Sequence, residues 1–426
     1  MVVLNAGQLL TVSGQSRPRA GRAMRDLGII EDGYFASLEG VIVDAGPQRE
    51  FERRVEPLPG ATVIDAKGGV VSPGFVDPHT HLVFAGWRAG EFAMRIEGRT
   101  YLEIHKAGGG INSTVESTRA SDEPTLLSRA LERLDECLKW GTTTVEVKSG
   151  YGLDTGNELK CLRVVSKAAQ VHPAGVVGTF MGLHAVPPEF AGNADGYVDL
   201  IVNEMLPAVQ QQGVARFADV FCEKGVFTPG QSRRVLVEAG RRGMRAKVHA
   251  DELAPSGGAE LAAEVGAISA EHLMMASDRG LEAMRGAGCV AVLLPGTPFF
   301  LGGHAYAPAR RMIDMGLPVA LGTDFNPGSC TLQVMPVAMT IACTQMRMTP
   351  EECFTAATVN AACATGIGDR VGRIERGMAA DAVVFDAGDY REIPYRFAAN
   401  LATCVIKSGR VVARDGVPCW SADGRA

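Results

Sequence analysis

Eight apolar, strand-like segments recur through the middle of this 426-residue chain, and helical patterns separate most of them. The segments end near His81, Lys148, His184, Glu223, His249, His272, Pro295 and Asp324. Helical periodicity covers 124–140, 157–170, 197–212 and 231–242. Strands joined through helices lie parallel, because each crossover returns the chain to the same end of the sheet. Eight such units over roughly 300 residues predict an α/β fold, a (β/α)8 TIM barrel spanning residues 71–370. A doubly wound sheet shares this alternation and stays open on strand count alone.

Both ends of the chain read differently. Stretches 28–33 and 37–46, and later 380–386 and 403–412, alternate apolar runs with Gly and Asp turn residues. They predict a small discontinuous β domain, sandwich-like, built from residues 1–70 and 371–426. The ten cysteines are scattered, contain no C-x-x-C, and often sit in apolar runs, as Cys289 and Cys343 do. That usage predicts buried, reduced thiols in a cytoplasmic protein. A net charge of −6 without a Lys/Arg block argues against a nucleic-acid partner. No apolar run is long enough for a bilayer, and residues 1–7 lack a signal-peptide pattern, so no membrane partner is expected. A homodimer is the default assembly.

Within Asp77-Pro78-His79-Thr80-His81, the two histidines follow an apolar run at i and i+2. That spacing on a strand turns both imidazoles to one side. Five of the eight histidines, His79, His81, His184, His249 and His272, stand at strand-like ends, and Asp324 is the clearest acid there. In a barrel these ends converge on one mouth. Three imidazoles and a carboxylate suit zinc or iron. Taken singly, each has a plainer reading: a structural histidine, or for Asp324 a turn or helix-cap residue. Jointly, the plain readings do not explain why so many histidines avoid helices and loops. His105, His172 and His304 lie elsewhere and read as structural or surface residues.

Pro73-Gly74-Phe75-Val76-Asp77-Pro78-His79-Thr80-His81, with His249, His272 and Gly322-Thr323-Asp324, resembles the amidohydrolase superfamily. The resemblance implies a metal-dependent barrel joined to a small β domain formed by both termini. The stretch 372–386 is similar to that superfamily's return into the β domain. Further segments resemble the imidazolonepropionase family over nearly the whole chain and in order. They are Phe84-Ala85-Gly86-Trp87-Arg88, Gly108-Gly109-Gly110-Ile111, Glu146-Val147-Lys148-Ser149-Gly150-Tyr151-Gly152-Leu153, Gly182-Leu183-His184-Ala185, His249-Ala250-Asp251-Glu252-Leu253 and Asp324-Phe325-Asn326-Pro327-Gly328.

This resemblance implies hydrolysis of the ring amide of 4-imidazolone-5-propanoate to N-formimidoyl-L-glutamate by a metal-activated water, the third step of histidine degradation. It assigns His79, His81, His249 and Asp324 as metal ligands. Arg88, Tyr101, Tyr151, His184, Glu252, Asn326, Gly328 and Ser329 match its substrate-binding residues. His272, Asp324 and Glu252 match its catalytic groups. Asp324 would take the water's proton, His272 would stabilise the oxyanion or steer attack, and Glu252 would pass a proton to the leaving nitrogen. Arg88 offers a planar fork for the propanoate carboxylate. Without the resemblance, Arg88 would read as a surface arginine, Glu252 as a solvated acid, and 326–329 as a plain turn.

Related binuclear enzymes bridge two metals with a carboxylated lysine on strand four. Strand four reads here as 217–224, with no lysine inside its apolar stretch, and the other candidate, Lys148, lies on strand two. One divalent or trivalent metal ion per subunit, zinc or iron, and an unmodified lysine are therefore expected. A deaminase of cytosine-like rings and a binuclear cyclic amidase are the nearest rivals, and deaminases lack a counterpart of Arg88. A non-catalytic barrel is the remaining rival, and such proteins usually lose ligands that this chain retains.

Overall fold

The computed structural model describes residues 1–99, 103 and 109–420. Five strands open the chain: β1 (Val2–Leu10), β2 (Ile29–Leu38), β3 (Val41–Pro47), β4 (Val63–Asp65) and β5 (Val70–Pro73). Eight follow: β6 (Phe75–Asp77), β7 (Thr142–Lys148), β8 (Gly175–Leu183), β9 (Ala215–Cys222), β10 (Arg245–Ala250), β11 (Ser269–His272), β12 (Val290–Leu293) and β13 (Val319–Leu321). Four close it: β14 (Ala382–Phe385), β15 (Ala402–Lys407), β16 (Arg410–Arg414) and β17 (Val417–Pro418).

Strands β6 to β13 pair in chain order, every pair parallel. All seven residues of β7 are buried, as expected of a parallel strand covered on both faces. The first and last strands meet just beyond their ends, through a parallel bridge between Thr80 and Phe325. Asp77 strengthens this closure: its carboxylate accepts from the Thr323 amide at 3.1 Å and the Thr323 hydroxyl at 2.6 Å. This is the barrel that the alternation predicts.

The other strands form a nine-stranded sheet in the order β17-β16-β15-β14-β5-β1-β2-β3, with β4 beside β1. Its central joint explains the discontinuity. Strand β14, after the barrel, lies antiparallel to β5, immediately before it, and pairs Ala382 with Pro73 through Phe385 with Val70.

Local sequence accounts for the helices around the barrel. Asp122 caps Glu123–Lys139 by accepting from the Thr125 amide, Asp154 caps Thr155–Val171, and Thr228 with Gln231 forms a capping box on Pro229–Arg241. The helix expected over 197–212 is interrupted by a π turn, Ile201–Met205. Pro207 stands just after it and lacks the amide hydrogen of a regular α turn. A second difference concerns the His-x-His pair. Strand β6 stops at Asp77, because Pro78 cannot donate to a ladder, so both histidines lie beyond the strand.

Candidate active site

Backbone pairing brings the first and last barrel segments together at the mouth. The His81 amide donates to the Phe325 carbonyl at 2.8 Å, and the Asp324 amide donates to the His79 carbonyl at 3.1 Å. The side chains follow. His79 Nε2 lies 3.3 Å from His81 Nε2 and 3.3 Å from Asp324 Oδ1, while His81 Nε2 lies 3.6 Å from that oxygen. The His249 ring centroid is 4.5 Å from that of His79 and 5.3 Å from that of His272. Three strand ends carry left-handed backbone: Asp251 (φ 50°), His272 (φ 71°) and Asp324 (φ 54°). Non-glycine residues rarely adopt it, and such strain concentrates at functional sites.

Two carboxylates orient two of the imidazoles. Glu271 bonds Nδ1 of His79, and Asp219 Oδ1 lies 3.1 Å from Nδ1 of His249. Each contact leaves Nε2 pointing away from the carboxylate, and His249 Nε2 is buried without a protein partner. Burial lowers the proton affinity of His79, but Glu271 and Asp324 outweigh it and lift the pKa to about 9. Burial, reinforced by neighbouring histidines, holds His81 well below its ordinary value.

Burial alone would raise the Asp324 carboxyl, yet His79, His272 and Thr297 draw it down to about 2. Thr297 donates to Asp324 Oδ2 at 2.5 Å. His272, lowered to about 3 mainly by burial, is neutral near pH 7. Its Nε2 stands 3.6 Å from Glu252 Oε2. Burial, then Asp324 and Glu223, pushes Glu252 up to about 8.

The candidate substrate residues surround this cluster. His184 stacks on His81 at 5.1 Å and bonds the Gly150 carbonyl through Nδ1 at 2.9 Å. Tyr151 is buried, its ring 5.9 Å from His81 and 5.3 Å from His184, and burial raises its hydroxyl pKa. Asn326 Oδ1 accepts from the amides of Gly328 and Ser329 at 2.9 and 2.7 Å, which folds 326–329 into a tight turn. Gly328 receives the Arg88 guanidinium: a Cβ there would lie 1.2 Å from Arg88 Nη2. The Arg88 Nε is buried without a hydrogen-bond partner, with Glu91 3.7 Å away. Tyr101 and His105 lie outside the described residues. His304 is exposed, and His172 is buried against Asp135 and Trp420, away from the cluster.

Sequence reasoning missed Thr297, Asp219, Glu271 and Lys247. Three of them are charges buried within barrel strands, an unusual placement that could have marked them. Lys148, weighed as a metal bridge, instead sits as an ammonium among Glu146, Asp219 and Glu271. Among the described residues, three sets of donor atoms could hold a metal ion: His79, His249 and His272; His79, His81 and Asp324; and Asp219, His249 and Glu271. The two imidazoles and one carboxylate of His79, His81 and Asp324, with the orphaned, buried His249 Nε2 as a further donor, fit a zinc- or iron-type ion.

An amidohydrolase family description matches residues 62–106 and 90–413. An imidazolonepropionase of Geobacillus kaustophilus is 51% identical over 418 residues, covering 98% of both chains. One from Symbiobacterium thermophilum is 51% identical over 417 residues, again covering 98% of both. Among solved structures, a triazine hydrolase variant aligns with a TM-score of 0.76 at 18% identity, covering 99% of this chain and 96% of its own. A 5-methylcytosine deaminase from Klebsiella pneumoniae aligns at 0.72 and 16%, covering 97% of each. Identities this low bear on the fold alone.

Proposed function

This chain belongs to the imidazolonepropionase family of amidohydrolases, and from that premise we propose how its own residues divide the work. It hydrolyses the ring amide of 4-imidazolone-5-propanoate to N-formimidoyl-L-glutamate, a step of histidine degradation. His79, His81, His249 and Asp324 hold one metal ion, zinc or iron. The observation that carries this reading is the approach of two imidazole Nε2 atoms and Asp324 Oδ1 within 3.6 Å, on backbone segments hydrogen-bonded to each other. When bound, such an ion polarises the amide carbonyl and activates water at neutral pH.

Asp324 accepts the proton that water loses, because its neighbours keep it ionised while Thr297 fixes its second oxygen. Neutral His272 donates one N–H toward the oxygen on which charge develops. Glu252, protonated near pH 7 and 3.6 Å from His272, hands a proton to the departing ring nitrogen. Arg88 takes the propanoate carboxylate through its fork, and Tyr151, held as a neutral phenol, donates a further bond. His184, Asn326 and Ser329 frame the ring, Gly328 cradles the Arg88 guanidinium, and Tyr101 is assigned to the substrate carboxylate on family resemblance alone.

We also propose two units, a β domain from 1–70 and 371–426 and a barrel from 71–370, with the first boundary moved to follow β5 (Val70–Pro73), which pairs with β1 and β14. Cytoplasmic residence fits ten unpaired cysteines, and no helix among the described residues is long and apolar enough to cross a membrane. A homodimer is the commonest closed assembly. The test is turnover: protein of known metal content receives 4-imidazolone-5-propanoate generated in situ, and its absorbance is followed. Loss of absorbance with formation of N-formimidoyl-L-glutamate supports the reading. Inert metal-replete protein that deaminates a cytosine-like ring would replace it.

A further inference from the structure

Beneath the proposed ligands lies a charged cluster that the reaction does not use. Lys148 on β7 is fully buried, and its Nζ lies 2.8 Å from Asp219 Oδ2, 3.0 Å from Glu146 Oε1 and 3.1 Å from Glu271 Oε2. Two of these carboxylates lead directly to histidines: Asp219 to Nδ1 of His249, and Glu271 to Nδ1 of His79. Asp219, His249 and Glu271 also bring donor atoms within 4.8 Å of one another, an arrangement suited to a cation. The Lys148 ammonium sits against two of those three groups. A dication entering there would meet that ammonium at close range in a dry interior, where like charges repel strongly.

A carboxylate aims an imidazole only if it is itself held. Glu271 has a second tether, because Lys247 Nζ meets its Oε1 at 2.7 Å. Asp219 Oδ1 accepts from the amides of Val220 and His249 at 2.7 and 3.2 Å, and its Oδ2 meets the Lys148 ammonium at 2.8 Å. We infer that Lys148 is a positioning residue standing in for a second metal ion: it fills the inner cation position and anchors Asp219, so that His249 presents Nε2 to a single ion. The inference rests on the metal site proposed above. Lys148 thus acts through Asp219 and touches neither substrate nor metal.

The test uses full-length protein stripped of metal and titrated with Zn²⁺ against a chromophoric chelator, with the visible absorption of the Co²⁺-loaded form as second readout. Lys148→Met removes the ammonium. Lys148→Met combined with Glu146→Gln removes one positive and one negative charge together, so it carries the test if the single variant does not fold. Wild-type protein should take one ion. Both variants should lose roughly 10- to 100-fold in zinc affinity, the usual cost of removing support behind a ligand, and their Co²⁺ spectra should change. Glu146→Gln alone, whose carboxylate contacts Lys148 and no histidine, should keep wild-type affinity and spectrum. A folded double variant with wild-type affinity and spectrum overturns the inference, as does wild-type protein that takes two ions. Wild-type protein that binds no zinc overturns the underlying site reading and the inference with it.

Discussion

Replacing Gly328 by alanine isolates the carboxylate end of the proposed site. An ideal Cβ at this position would lie 1.2 Å from Arg88 Nη2, 2.0 Å from Cζ and 2.6 Å from Nε. Ordinary contact begins near 3.4 Å, so the guanidinium must retreat by roughly 2 Å, more than a hydrogen bond can stretch. The backbone itself accepts alanine, since Gly328 does not have a positive φ. The group displaced is the flexible end of a side chain, so the fold should hold and the melting temperature should stay at the wild-type value. Losing two charge-assisted bonds at about 1.5 kcal/mol each costs about 3 kcal/mol, or roughly 100-fold in kcat/KM. Steady-state kinetics on 4-imidazolone-5-propanoate, with metal content measured on the same samples, reads the effect. Wild-type kcat/KM in Gly328→Ala would refute the assignment of Arg88 to the substrate carboxylate. A large fall in melting temperature would show instead that Gly328 serves the fold.

Other outcomes follow from the same geometry. Asp324→Asn should abolish turnover, and His272→Asn should lower kcat by roughly two to four orders of magnitude, the range for loss of a positioned acid, base or oxyanion donor; near-normal rates in either would sink the division of roles. Arg88→Met should raise KM steeply while metal content stays constant, and a joint fall would make Arg88 structural. Glu252 supplies a pH test on the metal-free protein. Its folded pKa of about 8 stands above the ordinary 4.5, so the fold holds a proton that the unfolded chain releases between those values. The stability it contributes is present below about 4.5 and lost as pH rises through about 8. Glu252→Gln should flatten the decline of melting temperature across that window, and curves that stay parallel to wild type would contradict the burial argument.

Much of this site was legible because its groups stand where strands end. His249 stands near the end of the strand-like segment β10, and Asp324 follows the apolar β13, so position along the pattern marked both. The pairing of Thr80 with Phe325, which brings His81 and Asp324 to one point, joins residues far apart in sequence and left no local trace. Asp219, Lys247 and Glu271 were hidden for another reason. Asp219 and Lys247 each lie between two apolar residues and Glu271 between Ala270 and His272, and only the three-dimensional pairing of opposite charges makes such burial tolerable. The cradle between Gly328 and Arg88 was invisible too, because a glycine in Asn326-Pro327-Gly328-Ser329 already has a sufficient local explanation as a turn residue.

The most direct test of where the chemistry sits is anomalous diffraction from a zinc-loaded crystal, recorded above and below the metal absorption edge. One peak per chain is expected, bonded to Nε2 of His79, His81 and His249 and to a carboxylate oxygen of Asp324, with none between Asp219 and Glu271. A peak at the inner carboxylates, or one that leaves out Asp324, would contradict the account.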